Sequence, residues 1–254
     1  MSATPRRTLA VAAALTAVLG SAAPALAVSA PALVNAPMAA TAHPLTAHGG
    51  ILHSTSSNWS GYAATGQKFT SVTASWVQPA ASCNGDDTYS SFWIGLDGDG
   101  SSSVEQTGSE VDCSGGSPQY YAWYEMYPAY PVNFSNTVRP GDHFTASVTE
   151  SGSGAFTLKL SDTTAGWSHT VSKTLKNAAL ASAEIIAEAP SDSTGALPLT
   201  DFGKINFTGA TANGKSIGSF SPENITMASN GTTLATTSAL SGGSAFSVTW
   251  KNES

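Results

Sequence analysis

The chain is poor in charge. Only 11% of its 254 residues are Asp, Glu, Lys or Arg, and it has two cysteines and five histidines. These shortages exclude several function classes. Phosphate recognition needs a basic surface, and 10 Lys plus Arg against 17 Asp plus Glu give a net −7, so no nucleic-acid partner is expected. No His-Glu-x-x-His and no Cys-x-x-Cys occurs, which removes the common zinc frameworks. Gly95, Gly98 and Gly100 precede no helical pattern, so they do not make a phosphate or dinucleotide loop. Asp97 and Asp99 lack the remaining ligand ladder of a calcium loop, including its twelfth-position Glu. His143 and His169 lie in strand-like stretches without a serine–aspartate context, which argues against a hydrolase triad.

The N-terminus reads as an export signal over residues 1–27. Arg6 and Arg7 precede an apolar run from Leu9 to Leu19, and Ala25-Leu26-Ala27 supplies the small residues of a cleavage site. That run is short for a membrane span, which takes about 20 apolar residues, and no later stretch is apolar enough. The expected mature protein is secreted, extracellular and free of the membrane. Losing the two signal arginines leaves 8 basic against 17 acidic residues, or −9. Cys83 and Cys113, an even pair in an exported chain, are expected to form a disulfide. Residues 28–53, rich in Ala and Pro and without hydrophobic periodicity, read as a disordered leader or short propeptide. His43, His48 and His53 lie in it and would gain charge as pH falls. A surface dominated by Ser, Thr and Gly has few ion pairs to lose in acid, and so suits a protein working there.

From about Ser57, short segments rich in β-branched and aromatic residues alternate with Gly, Asn, Asp and Ser clusters. Phe69–Val77, Ser91–Leu96, Gln119–Tyr127, His143–Thr149, Ala155–Leu160, Lys204–Thr208 and Ala245–Lys251 read as strands. In the last, Phe246, Val248 and Trp250 share one face, as a period of two requires. Many short strands imply an all-β sandwich or barrel, built as one domain over 54–254 and expected to be monomeric. Residues 177–189 stand apart. They are Ala-rich with Leu180, Ile185 and Ile186, and by propensity favour helix up to Pro190.

Carboxylates and amides are the chemistry that remains. On a strand over 119–127, Tyr121, Trp123, Glu125 and Tyr127 share one face, and Tyr120, Ala122, Tyr124 and Met126 the other. Two aromatic faces on one strand suggest core on one side and a cleft on the other. Glu125 in an aromatic row is poorly solvated, which raises a carboxyl pKa unless donors hold it down. Glu184 and Glu188 share a face whether the segment is helix or strand.

Four motifs in order carry a resemblance to the glutamic peptidases, or eqolisins. They are Ser57-Asn58-Trp59-Ser60-Gly61-Tyr62; Phe92-Trp93-Ile94-Gly95-Leu96-Asp97-Gly98 followed by Glu105-Gln106-Thr107-Gly108; Ala122-Trp123-Tyr124-Glu125-Met126-Tyr127-Pro128; and Ala183-Glu184-Ile185-Ile186-Ala187-Glu188. The resemblance implies an antiparallel β-sandwich of two packed, curved sheets, jelly-roll or concanavalin-like, with a cleft on one sheet. It implies that 177–189 ends in a strand, against propensity. It implies a pepstatin-insensitive acid endopeptidase acting on polypeptides, with Gln106 and Glu188 as catalytic dyad and no cofactor. Trp59, Trp93, Asp97, Glu125 and Tyr127 match residues that line or support the substrate cleft. The chain departs from fungal members at Tyr121 and Ala189, where Asp is common. Two rival readings use the same residues. One is a glycoside hydrolase pairing Glu125 with Glu188. The other is a non-catalytic carbohydrate-binding module built on Trp93, Trp123 and Tyr127.

Overall fold

The computed structural model describes residues 46–48 and 51–254. The signal segment and most of the leader lie outside the described residues. Strands β1 Thr46–His48, β2 Ile51–Ser56, β3 Trp59–Ala64, β4 Ser71–Val77, β5 Thr88–Leu96, β6 Val104–Ser114 and β7 Ser117–Tyr127 come first. They are followed by β8 Val132–Asn133, β9 His143–Glu150, β10 Ala155–Asp162, β11 Trp167–Thr174 and β12 Ala183–Glu188. The C-terminal part adds β13 Ser191–Asp192, β14 Gly195–Ala196, β15 Lys204–Ala212, β16 Lys215–Ser216, β17 Glu223–Ser229, β18 Thr232–Thr237 and β19 Phe246–Trp250. Among the described residues the only helical turn is a 3-10 segment, Ile217–Phe220.

Pairing lays these strands out in two layers. One runs β1-β2-β17-β3-β12-β5-β6-β7-β8. The other runs β18-β19-β15-β4-β9-β10-β11. Strand β17 joins them, pairing with β3 at Glu223–Ile225 and with β18 at Met227–Ser229. All pairs are antiparallel except β2 with β17, which is parallel. That pairing seats Leu52–Ser56 beside Glu223–Met227. A parallel partner some 170 residues away leaves no local signal.

The second layer follows the simple rule of an apolar inner and a polar outer face. Val72, Ala74 and Trp76 of β4 point inward with Phe144, Ala146 and Val148 of β9 and Phe156, Leu158 and Leu160 of β10. Trp76 stacks on Phe144 at 5.7 Å between ring centroids, and Phe207 stacks on Phe246 at 5.1 Å. Burying each such ring contributes about 2–3 kcal/mol. The first layer breaks the rule, because β3, β6 and β12 are buried on both faces almost throughout. Their inner face joins the main core, and their outer face carries a second cluster containing Trp59, Trp93, Trp123 and Ile186.

The helix that propensity favours over 177–189 does not form. Asn177 and Leu180 adopt left-handed φ of 71° and 55°, which no helix accommodates. Ala183–Glu188 is instead a central strand, hydrogen-bonded to β3 on one side and β5 on the other. Two complete ladders outweigh the alanines' propensity, which differs by under about 1 kcal/mol per residue. Cys83 and Cys113 are joined, tying the loop before β5 to the end of β6.

Candidate active site

Register brings the distant motifs onto the outer face of the first layer. Residues directly opposite one another in neighbouring strands share a face. One row across β3, β12, β5, β6 and β7 is Trp59, Glu188, Ser91, Glu110 and Tyr121. The next is Gly61, Ile186, Trp93, Gly108 and Trp123, and the third Ala63, Glu184, Gly95, Gln106 and Glu125. Glu188 and Gln106 therefore occupy opposite corners of a patch whose middle holds Trp93 and Gly108.

Gly108 is required there. A Cβ at this position would lie 2.3 Å from the Phe92 carbonyl oxygen and 2.6 Å from the Trp93 Cβ, so any side chain would force β5 and β6 apart. Gly61 faces a similar limit, with φ of 152° and a Cβ position 2.2 Å from the Ile185 oxygen. The glycines let the strands close tightly and leave the tryptophan rings to fill the surface.

Glu188 is held on both oxygens. The indole N–H of Trp93 donates to Oε2 at 2.7 Å, and Asn58 Nδ2 donates to Oε1 at 3.1 Å. Trp59 packs edge-on against Trp93 with centroids 5.2 Å apart. Burial pushes the Glu188 carboxyl up to about 7, against the opposing pull of the Trp93, Trp59 and Asn58 donors. The other carboxyls of the face have less support. Glu125 accepts one hydrogen bond, from Gln106 Nε2 at 2.5 Å, and burial lifts it to about 8. Asp112, which accepts from the Tyr121 hydroxyl, is raised by burial to about 8. Glu110 and Glu184 are fully buried, and burial pushes both well above the carboxylate range. Glu188 is thus the carboxyl of this face that ionises first.

The Gln106 amide is oriented by Glu125. With one N–H committed, its second N–H and its Oε1, which has no partner among the described residues, are available to a substrate.

Of the residues named from sequence, Gln106, Glu188, Trp59, Trp93 and Glu125 come together on this face. Tyr127 lies beside Val104 at the end of the same strand pair and packs against the outer cluster. Asp97 is placed differently. It sits just past β5 with φ of 65°, and its two oxygens accept the N–H groups of Leu180 at 2.8 Å and Ala181 at 2.7 Å. It anchors the loop that feeds β12, supporting the site from behind. Asn58, Glu110 and Asp112 were not singled out from sequence. Period two from Gln106 along β6 finds Glu110 and Asp112, and Asn58 adjoins Trp59 in the first motif. Gly214-Lys215-Ser216-Ile217-Gly218 has the glycine and serine spacing of a nucleophile elbow. It forms a hairpin and 3-10 turn, without the strand-to-helix turn that exposes such a serine.

The family model described as Peptidase A4 family matches residues 57–250. The chain belongs to the peptidase A4 family. Aspergillopepsin-2 of Aspergillus niger is 29% identical over 221 residues, covering 77% of this chain and 78% of its own. Scytalidopepsin B of Scytalidium lignicola is 32% identical over 173 residues, covering 65% of this chain and 60% of its own. Scytalido-glutamic peptidase solved with a transition-state analogue inhibitor superposes with a TM-score of 0.63 at 27% identity, covering 77% of this chain and 98% of that one. Aspergilloglutamic peptidase from A. niger gives 0.59 at 28%, covering 65% and 99%. As a member of the A4 family this chain is a glutamic peptidase, a hydrolase whose substrates are polypeptides. The sugar readings left Gln106 without a role, whereas the structure binds its amide directly to Glu125.

Proposed function

We infer that the protein is a secreted, acid-acting endopeptidase, insensitive to pepstatin, in which Glu188 and Gln106 carry peptide hydrolysis. One observation supports the assignment most: Glu188 alone among the carboxyls of the face has donors on both oxygens, and it shares that face with an oriented amide that has an N–H and an oxygen to spare. Ionised Glu188 takes a proton from water, whose oxygen bonds to the scissile carbonyl carbon. The carbonyl π electrons move to oxygen, and the free Gln106 N–H donates to that oxyanion. Glu188 then returns the proton to the amide nitrogen, the C–N bond breaks, and an acid and an amine leave. Atoms and charge balance over the two steps, and the carboxylate is regenerated.

Water entering with the substrate solvates the Glu188 anion, so its ionisation in the working enzyme lies below the value of about 7 that the buried face imposes. Export accords with the N-terminal segment. Among the described residues no helix is long and apolar enough to cross a membrane.

The test is cleavage of denatured casein across acidic pH with pepstatin present, for wild type, Glu188→Gln and Gln106→Ala. The expected result is activity in wild type, a fall of roughly 10³-fold or more in Glu188→Gln and about 10²–10³-fold in Gln106→Ala, with circular dichroism unchanged. Full activity in Glu188→Gln, or none in folded wild type, overturns the assignment.

A further inference from the structure

The patch has two polar corners besides the dyad, and the one at Glu110 is rich in buried oxygens without partners. Glu110 lies in the same row as Glu188, with Ser91 between them on β5. Asp112 follows two residues on, on the same face of β6. Glu110 Oε1 and Oε2, Asp112 Oδ1 and Ser91 Oγ are buried and have no hydrogen-bond partner among the described residues. The Tyr121 hydroxyl reaches the other Asp112 oxygen and closes the outer side. No basic residue lies in any of the three rows. Buried acceptors left in this state cost about 1–3 kcal/mol each until a donor arrives. A metal ion would supply charge, but no three such groups converge with metal-binding spacing among the described residues.

Resting on the reading of this face as a peptidase cleft, we propose that Glu110, backed by Asp112 and Ser91, is a specificity-determining residue that receives a lysine or arginine side chain flanking the scissile bond. A peptide laid across the Glu188–Gln106 diagonal has Glu110 beside it, in the row of Glu188 and on the strand of Gln106. Ammonium and guanidinium groups are the donor-rich side chains of a polypeptide, and a cation at this corner favours the ionised form of the carboxyls it meets, which makes the bonds charge-assisted. A site built to satisfy such donors discriminates against an isostere that lacks them.

The experiment uses peptides identical except for lysine or norleucine at each position flanking the cleaved bond. The ratio of kcat/KM for the two is measured in wild type, Glu110→Gln and Asp112→Asn, with folding checked by circular dichroism. At one flanking position wild type should favour lysine by about tenfold or more, and Glu110→Gln should bring the ratio to within about threefold of unity. A ratio near one in wild type, an unaltered ratio in both folded variants, or a parallel loss for both peptides overturns the subsite. If wild type cleaves neither peptide, the peptidase mechanism has failed. Tryptophan fluorescence titration of wild type then decides the subsite separately: tighter binding of the lysine peptide supports it, and equal binding overturns it.

Discussion

The indole N–H of Trp93 points at Oε2 of Glu188 across 2.7 Å, although the two residues lie 95 positions apart. Adjacent strands β5 and β12 make that contact, and it bears on when Glu188 ionises and so can serve as the proposed base. Removing the donor destabilises the anion and leaves the neutral acid almost untouched.

Trp93→Phe should therefore move the acid limb of the kcat/KM profile to higher pH, by about one unit, with little change on the plateau. Asn58→Leu should do the same more weakly, since its bond is longer at 3.1 Å. A limb that stays in place in both variants would show that another group governs it.

Stability should fall as pH rises. Glu125 and Glu105 have folded-state values raised by burial from 4.5 to about 8, and Asp112 from 3.8 to about 8. A raised carboxyl means that the folded state binds protons more tightly than the unfolded one. Its contribution is complete below the unfolded value and is lost as pH climbs through about 8. Each group carries at most about 5 kcal/mol, so the melting temperature should be highest at or below about pH 4 and drop by at least about 10 °C by pH 8. Differential scanning fluorimetry across that range checks it, and a flat or rising profile would contradict the buried, protonated cluster.

Asp97→Ala should cost about 1–2 kcal/mol, because it leaves the Leu180 and Ala181 N–H groups without their acceptor at a partly buried loop. Since that loop leads into β12, kcat should fall as well, while KM changes less. Chemical denaturation and steady-state kinetics on the same variant separate the two effects, and Asp97→Asn should recover part of both.

Gly108→Ala should be disproportionately harmful for one added methyl. The new Cβ meets backbone and the root of Trp93 rather than a flexible side-chain end, so β5 must shift from β6. A loss of about 2 kcal/mol or more in stability and a large loss of activity are expected. Near-normal melting would show that the sheet yields more easily than its packing suggests.

The sequence by itself fixed the strand content of the second layer, because alternating residues such as Val72, Ala74 and Trp76 report a sheet with one dry face. It also pointed to Gln106 and Glu188 as the proposed dyad, through four motifs whose residue types and order are family-specific. Where the ladders are central and both faces buried, periodicity fell silent, and the alanines of β12 favoured helix. Only the tertiary structure decided that strand. Its hydrogen bonds come from β3 and β5, far away in the chain, and local propensity carries no information about them. The same holds for the partners of Glu188, for the parallel seat of β2 on β17, and for the inward turn of Asp97. The meeting of Glu110 with Ser91 beside Glu188 is likewise a matter of register, which exists only once distant strands have paired.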